Sequence, residues 1–324
     1  MNSYYGVVGT NPSMIELYRL IERIANSRAT ILIRGESGTG KRAIASAIHE
    51  ADPNRKDKPF IEISCGALPR EIIESELFGH AKGSFTGAVN ERKGRFELGN
   101  GGTVLLDDID SFSLDLQAKL LRVLQHKEFE RVGDNKTIKV DVRFIVSTNQ
   151  DLEKAIADKT FREDLYYRLN VISIDLPPLR NRKNDLPLLV DHFISLYSKE
   201  NHKNIKNVSD NTIKTLMSYD WPGNVRELEN IIERAVILDT DGVIENDDLP
   251  ELLTGNGLGF FDMKIGNDAN AVVSLKAALK EPEKVYILRV MEEMRWNKMK
   301  AARKLGVNRT TLYNKLRKYE LLVK

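Results

Sequence analysis

The run Gly35-Glu36-Ser37-Gly38-Thr39-Gly40-Lys41 limits what this chain can fold into more than any other feature. It has the spacing G-x-x-x-x-G-K, follows the apolar stretch ATILIRG (29–35) and leads into the helical pattern RAIASAIH. A strand that turns through glycines into a helix wraps successive backbone N–H groups around an anion. The positive end of the helix then lies behind the anion, and the Lys41 ammonium reaches the terminal phosphates. Strand, loop and helix in this order predict a phosphate-binding loop, against the alternative of a glycine-rich turn with a chance lysine. After the lysine stands Arg42, where a Ser or Thr hydroxyl would usually reach Mg²⁺, so the metal has to lean on other ligands.

The surrounding pattern agrees. Strand-like runs PFIEIS (59–64), TVLLD (103–107) and VRFIVST (142–148) alternate with helical stretches from about Lys41 and near 114–126, which predicts an α/β fold with a parallel sheet. Beyond about Pro178 the strands stop, and 185–199, 209–219 and 224–238 read as helices. In the last, Leu228, Ile231, Ile232 and Ala235 share one face and Asn224 is placed as its cap. The expected organisation is an α/β core over 1–178, a small helical subdomain over 179–250, a glycine-spaced linker over 251–274 holding Phe260 and Phe261, and a small all-α domain over 275–324.

The run Val104-Leu105-Leu106 ends in Asp107-Asp108. There a second strand of a nucleotide site delivers one carboxylate, Asp107, to Mg²⁺ and another, Asp108, to orient the attacking water. The competing reading is a pair of solvated acids capping the next helix.

Charge divides the molecule. The whole chain carries 49 Lys and Arg against 47 Asp and Glu, but residues 295–324 hold ten basic side chains and the single acid Glu320. That segment is +9 and the remainder −7, so the two parts suit different partners. Within the basic part, 283–294 gives a helix with Ile287, Val290, Met291 and Met294 on one face. Residues 297–305 give a second helix, Gly306-Val307 a turn, and Asn308 caps a third running to about Tyr319. Small Ala301 and Ala302 allow close crossing, while Val307, Leu312 and Leu316 fill the shared core. Arg309, Thr310, Thr311, Tyr313, Asn314 and Arg317 remain outward, the set a major groove of double-stranded DNA would meet. Lys298, Lys300 and Lys318 suit phosphate contacts. The one cysteine, Cys65, cannot pair internally and reads as buried packing in a reducing compartment. With no leader-like start and no apolar run near 18 residues, the expectation is a cytoplasmic protein without a membrane partner.

On these motifs the chain resembles the AAA+ activators of sigma-54 RNA polymerase, the bacterial enhancer-binding proteins, from Val8 to Leu322. Its most specific element is Gly83-Ser84-Phe85-Thr86-Gly87-Ala88, which is similar to the family's GAFTGA loop although Ser84 replaces the usual alanine. The resemblance implies that Phe85 and Thr86 contact the sigma factor. It further implies that Thr148 and Asn149 sense the γ-phosphate, that Arg162 and Arg168 are arginine fingers acting on a neighbour's nucleotide, and that Arg226, in Trp221-Pro222-Gly223-Asn224-Val225-Arg226, reaches the nucleotide from the lid. Fingers in trans require head-to-tail contacts, and the family implies a hexameric ring with dimers as the resting form. The basic domain resembles a Fis-type helix-turn-helix that binds upstream activating DNA. ATP and Mg²⁺ are the implied substrate and cofactor.

Two positions depart from the family: Asp108 stands where Glu is usual and Ser64 where Asn is usual, a pair in which the asparagine holds the catalytic carboxylate. The expectation is slower hydrolysis with altered coupling to the loop. The alternative is a DNA-binding regulator that uses nucleotide as a ligand or assembly signal. With about seven residues before Val8, control is expected from a separate regulatory protein, from expression level, or from a segment trimmed away.

Overall fold

The structure, a computed structural model, describes residues 3–67, 70–85, 88, 90–250 and 253, and in the C-terminal part 284, 287, 290–291, 294 and 296–319. Thr86 and Gly87 of the loop motif, the linker residues other than Leu253, and the side chain of Asn314 lie outside the described set. The chain divides into two compact units, Met1–Thr254 and Gly255–Lys324.

The first unit is organised by a five-stranded parallel sheet of β1 (Ile31–Arg34), β2 (Phe60–Ser64), β3 (Thr103–Asp107), β4 (Arg143–Thr148) and β5 (Ile172–Asp175), in the order β5-β1-β4-β3-β2. Its strands are apolar on both faces. Leu32, Val104, Leu106, Phe144 and Val146 enter one core, Ile31, Ile33, Leu105, Ile145 and Ile174 the other, as expected of a sheet covered by helices on both sides. The first core receives α3 (Arg70–Phe78), α4 (Leu114–His126) and α5 (Glu163–Leu169), and the second α1 (Pro12–Ile24) and α2 (Lys41–Glu50). Arg143 is wholly buried at the start of β4. It is kept charged in that setting by Asp52 at 2.7 Å and by the carbonyl of Ile24 at 2.8 Å, which ends α1.

Register sets the functional edge. Ser64 pairs with Asp107 and Thr148 with Arg34, so the carboxyl ends of the strands meet on one side of the sheet. That is where open parallel sheets bind ligands.

The lid is three helices, α6 (Leu186–Glu200), α7 (Asp210–Ser218) and α8 (Asn224–Leu238), around a separate core. Trp221 lies at its centre, fully buried, with its indole N–H donating to Leu216 O at 3.0 Å.

In the second unit, α9 (Lys298–Lys304) and α10 (Arg309–Lys318) follow Asn297 and Asn308, whose side chains cap them. Asn308 accepts from Thr311 N at 2.7 Å. Ala301, Ala302, Leu312 and Leu316 are buried with Ile287, Val290, Met291 and Tyr319, while Val307 is only half-buried beside them.

Candidate nucleotide site and lid

At the carboxyl edge of the sheet lies a cleft of about 540 Å³, lined by Ser37 to Arg42, Ser64, Asp107, Asp108 and Arg226, with Val7, Val8, Met14 and Leu176 among its apolar walls. The loop after β1 leads into α2, whose first residue is Lys41. Lys41 is buried, and its Nζ donates to Gly35 O at 2.9 Å and Glu36 O at 3.1 Å. Burial lowers its pKa, and Asp107, Asp108 and Asp110 oppose that effect. Arg42 faces outward to Glu62, 2.6 Å away.

Asp107 closes β3 and accepts a hydrogen bond from the hydroxyl of Ser147. Asp108 follows in the left-handed region at φ 57°, a conformation aspartate tolerates better than most side chains. Burial pushes its pKa up, and the neighbouring Asp107 and Asp110 add to the shift. A Cβ on Gly66 would stand 3.9 Å from both the Cβ and the Oδ2 of Asp108, and among the described residues no hydrogen bond joins its carboxylate to Ser64. Asp110 was missed by sequence reasoning, because an acid just before a helix reads as a capping residue. In the structure it accepts from the hydroxyl of Thr148 at 2.6 Å. Thr148 is fully buried at the end of β4, and Asn149 beyond it is exposed.

The lid is bolted to the phosphate loop. Gly38 O accepts from the amides of Val225 at 2.9 Å and Arg226 at 3.2 Å, and Arg226 Nη1 donates to Ser37 Oγ at 3.1 Å. Sequence reasoning placed Asn224 as a helix cap, and the structure corrects this. Gly223 is the cap position, while Asn224 sits at φ 55°, fully buried, with its side chain used as a cross-link. Its amide nitrogen donates to Ser37 O at 3.0 Å and Glu36 Oε2 at 3.1 Å, and its oxygen accepts from Leu179 N at 2.8 Å. Glu36 also takes both arms of Arg180, at 2.5 and 2.8 Å, and Arg180 with Asn224 holds its pKa down to about 2.

Arg162 and Arg168 do not line the cleft. Arg162 precedes α5 and is bidentate to Asp164 at 3.0 and 2.7 Å, and Arg168 donates to Leu124 O at 3.3 Å from an exposed position.

Phe85 is 47% exposed, and its ring meets that of His80 edge-on, 5.1 Å between centroids. His80 is held by Ser75 at 2.8 Å and Asn90 O at 3.1 Å. A hairpin of Glu128–Glu130 and Thr137–Lys139, which follows α4, braces this segment: Val132 N donates to Gly79 O and Ala81 N to Val132 O, each at 3.0 Å. Gly133 presses on Ser84, where a Cβ would stand 2.4 Å from the serine Cβ.

In the second unit, Arg309, Thr310, Tyr313 and Arg317 of α10 are exposed and Thr311 is half-buried, with Lys298 Nζ 5.7 Å from the Tyr313 ring.

A parallel sheet in this strand order, a phosphate loop at its edge and a helical lid bonded to that loop define an α/β P-loop nucleotide-binding fold of the AAA+ type. Comparison with known proteins then gives the family. The sigma-54 interaction domain model matches residues 7–175, the AAA+ ATPase lid domain 180–258, and the bacterial regulatory protein Fis family 278–319. This chain belongs to the sigma-54 interaction domain family of AAA+ proteins. It is 48% identical to the nitrogen fixation protein VnfA of Azotobacter vinelandii over 97% of its own length and 59% of that protein's. Against the regulatory protein AtoC of Escherichia coli K12 the figures are 46%, 97% and 68%. The crystal structure of NtrX from Brucella abortus in complex with ATP matches with a TM-score of 0.75 at 33% identity, covering 97% of this chain and 69% of that one. Among the described residues no helix is long and apolar enough to cross a membrane.

Proposed function

We propose that this chain is an ATP-hydrolysing transcriptional activator that binds upstream DNA through α10, assembles as a hexameric ring from resting dimers, and remodels the sigma-54 RNA polymerase closed complex with the loop around Phe85 and Thr86. The observation that carries this reading is the bonding of the lid to the very loop that would hold the phosphates. Any shift of Ser37 and Gly38 on phosphate loss moves Asn224 and Arg226 with it, which turns chemistry into domain motion. The positions of Arg162 and Arg168 outside their own cleft suit the completion of a neighbour's site, because a planar guanidinium braces a transferring phosphoryl group.

In this reading Lys41 exchanges its carbonyl partners for the terminal phosphates, and Asp108 orients water. Mg²⁺, when bound, neutralises charge on the phosphate oxygens. Among the described residues no cluster of three or more ligating side chains exists. An ion that takes one carboxylate together with phosphate oxygens and waters needs none, so Asp107 fits. A second reading, nucleotide as an assembly signal with little turnover, is favoured by the short Asp108 and its lack of a bond to Ser64.

The test is phosphate release beside nucleotide-dependent binding of sigma-54 and light-scattering mass. Lys41→Ala should abolish turnover, and Phe85→Ala should keep it while losing sigma-54. DNA affinity should fall steeply as salt rises. Assembly on nucleotide with no turnover selects the second reading; a monomer under every adenine nucleotide removes both.

A further inference from the structure

We infer that Asp110 is a positioning residue that holds the hydroxyl proton of Thr148, so that a terminal phosphate must compete with a carboxylate for it. The inference rests on the reading of the cleft as a triphosphate site.

A threonine hydroxyl has one proton to give. Here it goes to Asp110 Oδ1 at 2.6 Å, within the range of a charge-assisted bond, and the Thr148 hydroxyl oxygen itself accepts from Gln150 N at 3.1 Å. The hydroxyl's single proton is thus committed, and Thr148 is fully buried, so that proton cannot turn to a phosphate without breaking the Asp110 bond. A carboxylate offers only acceptors, and two anions contend for one proton.

Asp110 belongs to the short turn Ile109–Ser111, which grows out of Asp108 and is tied back to it. Ser111 N and Ser111 Oγ donate to Asp108 O at 3.1 and 2.8 Å. Asp110 and the left-handed Asp108 thus share one short turn, so a shift of Asp110 on release of Thr148 is passed to Asp108. A diphosphate brings no group that claims the proton; a triphosphate does. Asp110 thus lowers affinity for the triphosphate selectively and links its arrival to a movement of the water-orienting carboxylate.

The experiment titrates the full chain with Mg-ADP and with Mg-AMP-PNP by calorimetry, for wild type, Asp110→Ala, Asp110→Asn, Thr148→Val and the Asp110→Ala/Thr148→Val pair. One hydrogen bond to a charged group corresponds to about a tenfold change in affinity. Asp110→Ala is expected to tighten AMP-PNP by about that factor, with ADP changed less than about twofold. Asp110→Asn, whose amide oxygen accepts without charge, should fall between. In the Thr148→Val background the selective gain should vanish. A gain that survives in Thr148→Val reflects charge removal alone and overturns the inference, as does an unchanged AMP-PNP to ADP ratio. If Asp110→Ala loses ADP binding through misfolding, the same cycle run with Asp110→Asn decides. Wild-type protein that binds neither nucleotide overturns the site reading itself, whereas one that binds both but shows no cycle overturns only the role of Asp110.

Discussion

Glu36 Oε2 lies 3.1 Å from the side-chain nitrogen of Asn224, which joins the phosphate loop to the lid across 188 residues of sequence. Arg180 grips the same carboxylate, so one acid at the mouth of the loop latches two parts of the lid.

That latch has a defined pH dependence. The Glu36 pKa falls from an ordinary 4.5 to about 2 in the folded protein, so its contribution is complete above about 4.5 and is lost as the pH drops through about 2. The stability advantage of wild type over Glu36→Gln in urea should be constant at higher pH and shrink across that window. A difference that is flat down to the lower limit would show that the carboxylate charge does not matter.

Gly38 stands at φ 77°, and a Cβ there would lie 2.2 Å from the carbonyl of Gly223, whereas at Gly40, φ 101°, it would meet nothing within 4 Å. Both alanine variants carry left-handed strain of about 1–2 kcal/mol. Only Gly38→Ala forces the lid away, so its melting temperature should fall below that of Gly40→Ala, by roughly 2–8 °C. Differential scanning calorimetry without nucleotide makes the comparison, and equal melting temperatures would remove the close approach as its cause.

Asp108 is one methylene shorter than a glutamate and has no hydrogen bond to Ser64 among the described residues. If reach limits the orientation of water, Asp108→Glu raises the rate of phosphate release by about tenfold, a part of the roughly 10²–10⁴-fold that a well-placed general base contributes. Steady-state hydrolysis of the two proteins decides the matter, and wild type already matching the variant rules it out.

The parts of the site that sequence made legible are those in which neighbouring residues carry the whole signal. The glycine spacing from Gly35 to Lys41, the acids ending Thr103–Asp107 and the asparagines before the two basic helices each specify their own local backbone. Asn224 was misread because its local context, just ahead of an apolar helix, suggests a cap, while its partners Glu36, Ser37 and Leu179 come from distant chain. Asp110 was missed for the same reason, since Thr148 enters only through the pairing of β3 with β4. Arg162 and Arg168 bond Asp164 and Leu124 O within their own chain, and any role on a second nucleotide needs a second subunit.

The abutment of Gly133 against Ser84 has a mechanical meaning. With no space for even a methyl group between them, and with Val132 bonded on both sides of His80, the hairpin and the stalk beneath Phe85 form a single strut. On the proposed function, a displacement of the hairpin that follows α4 carries the segment ending at Phe85 with it.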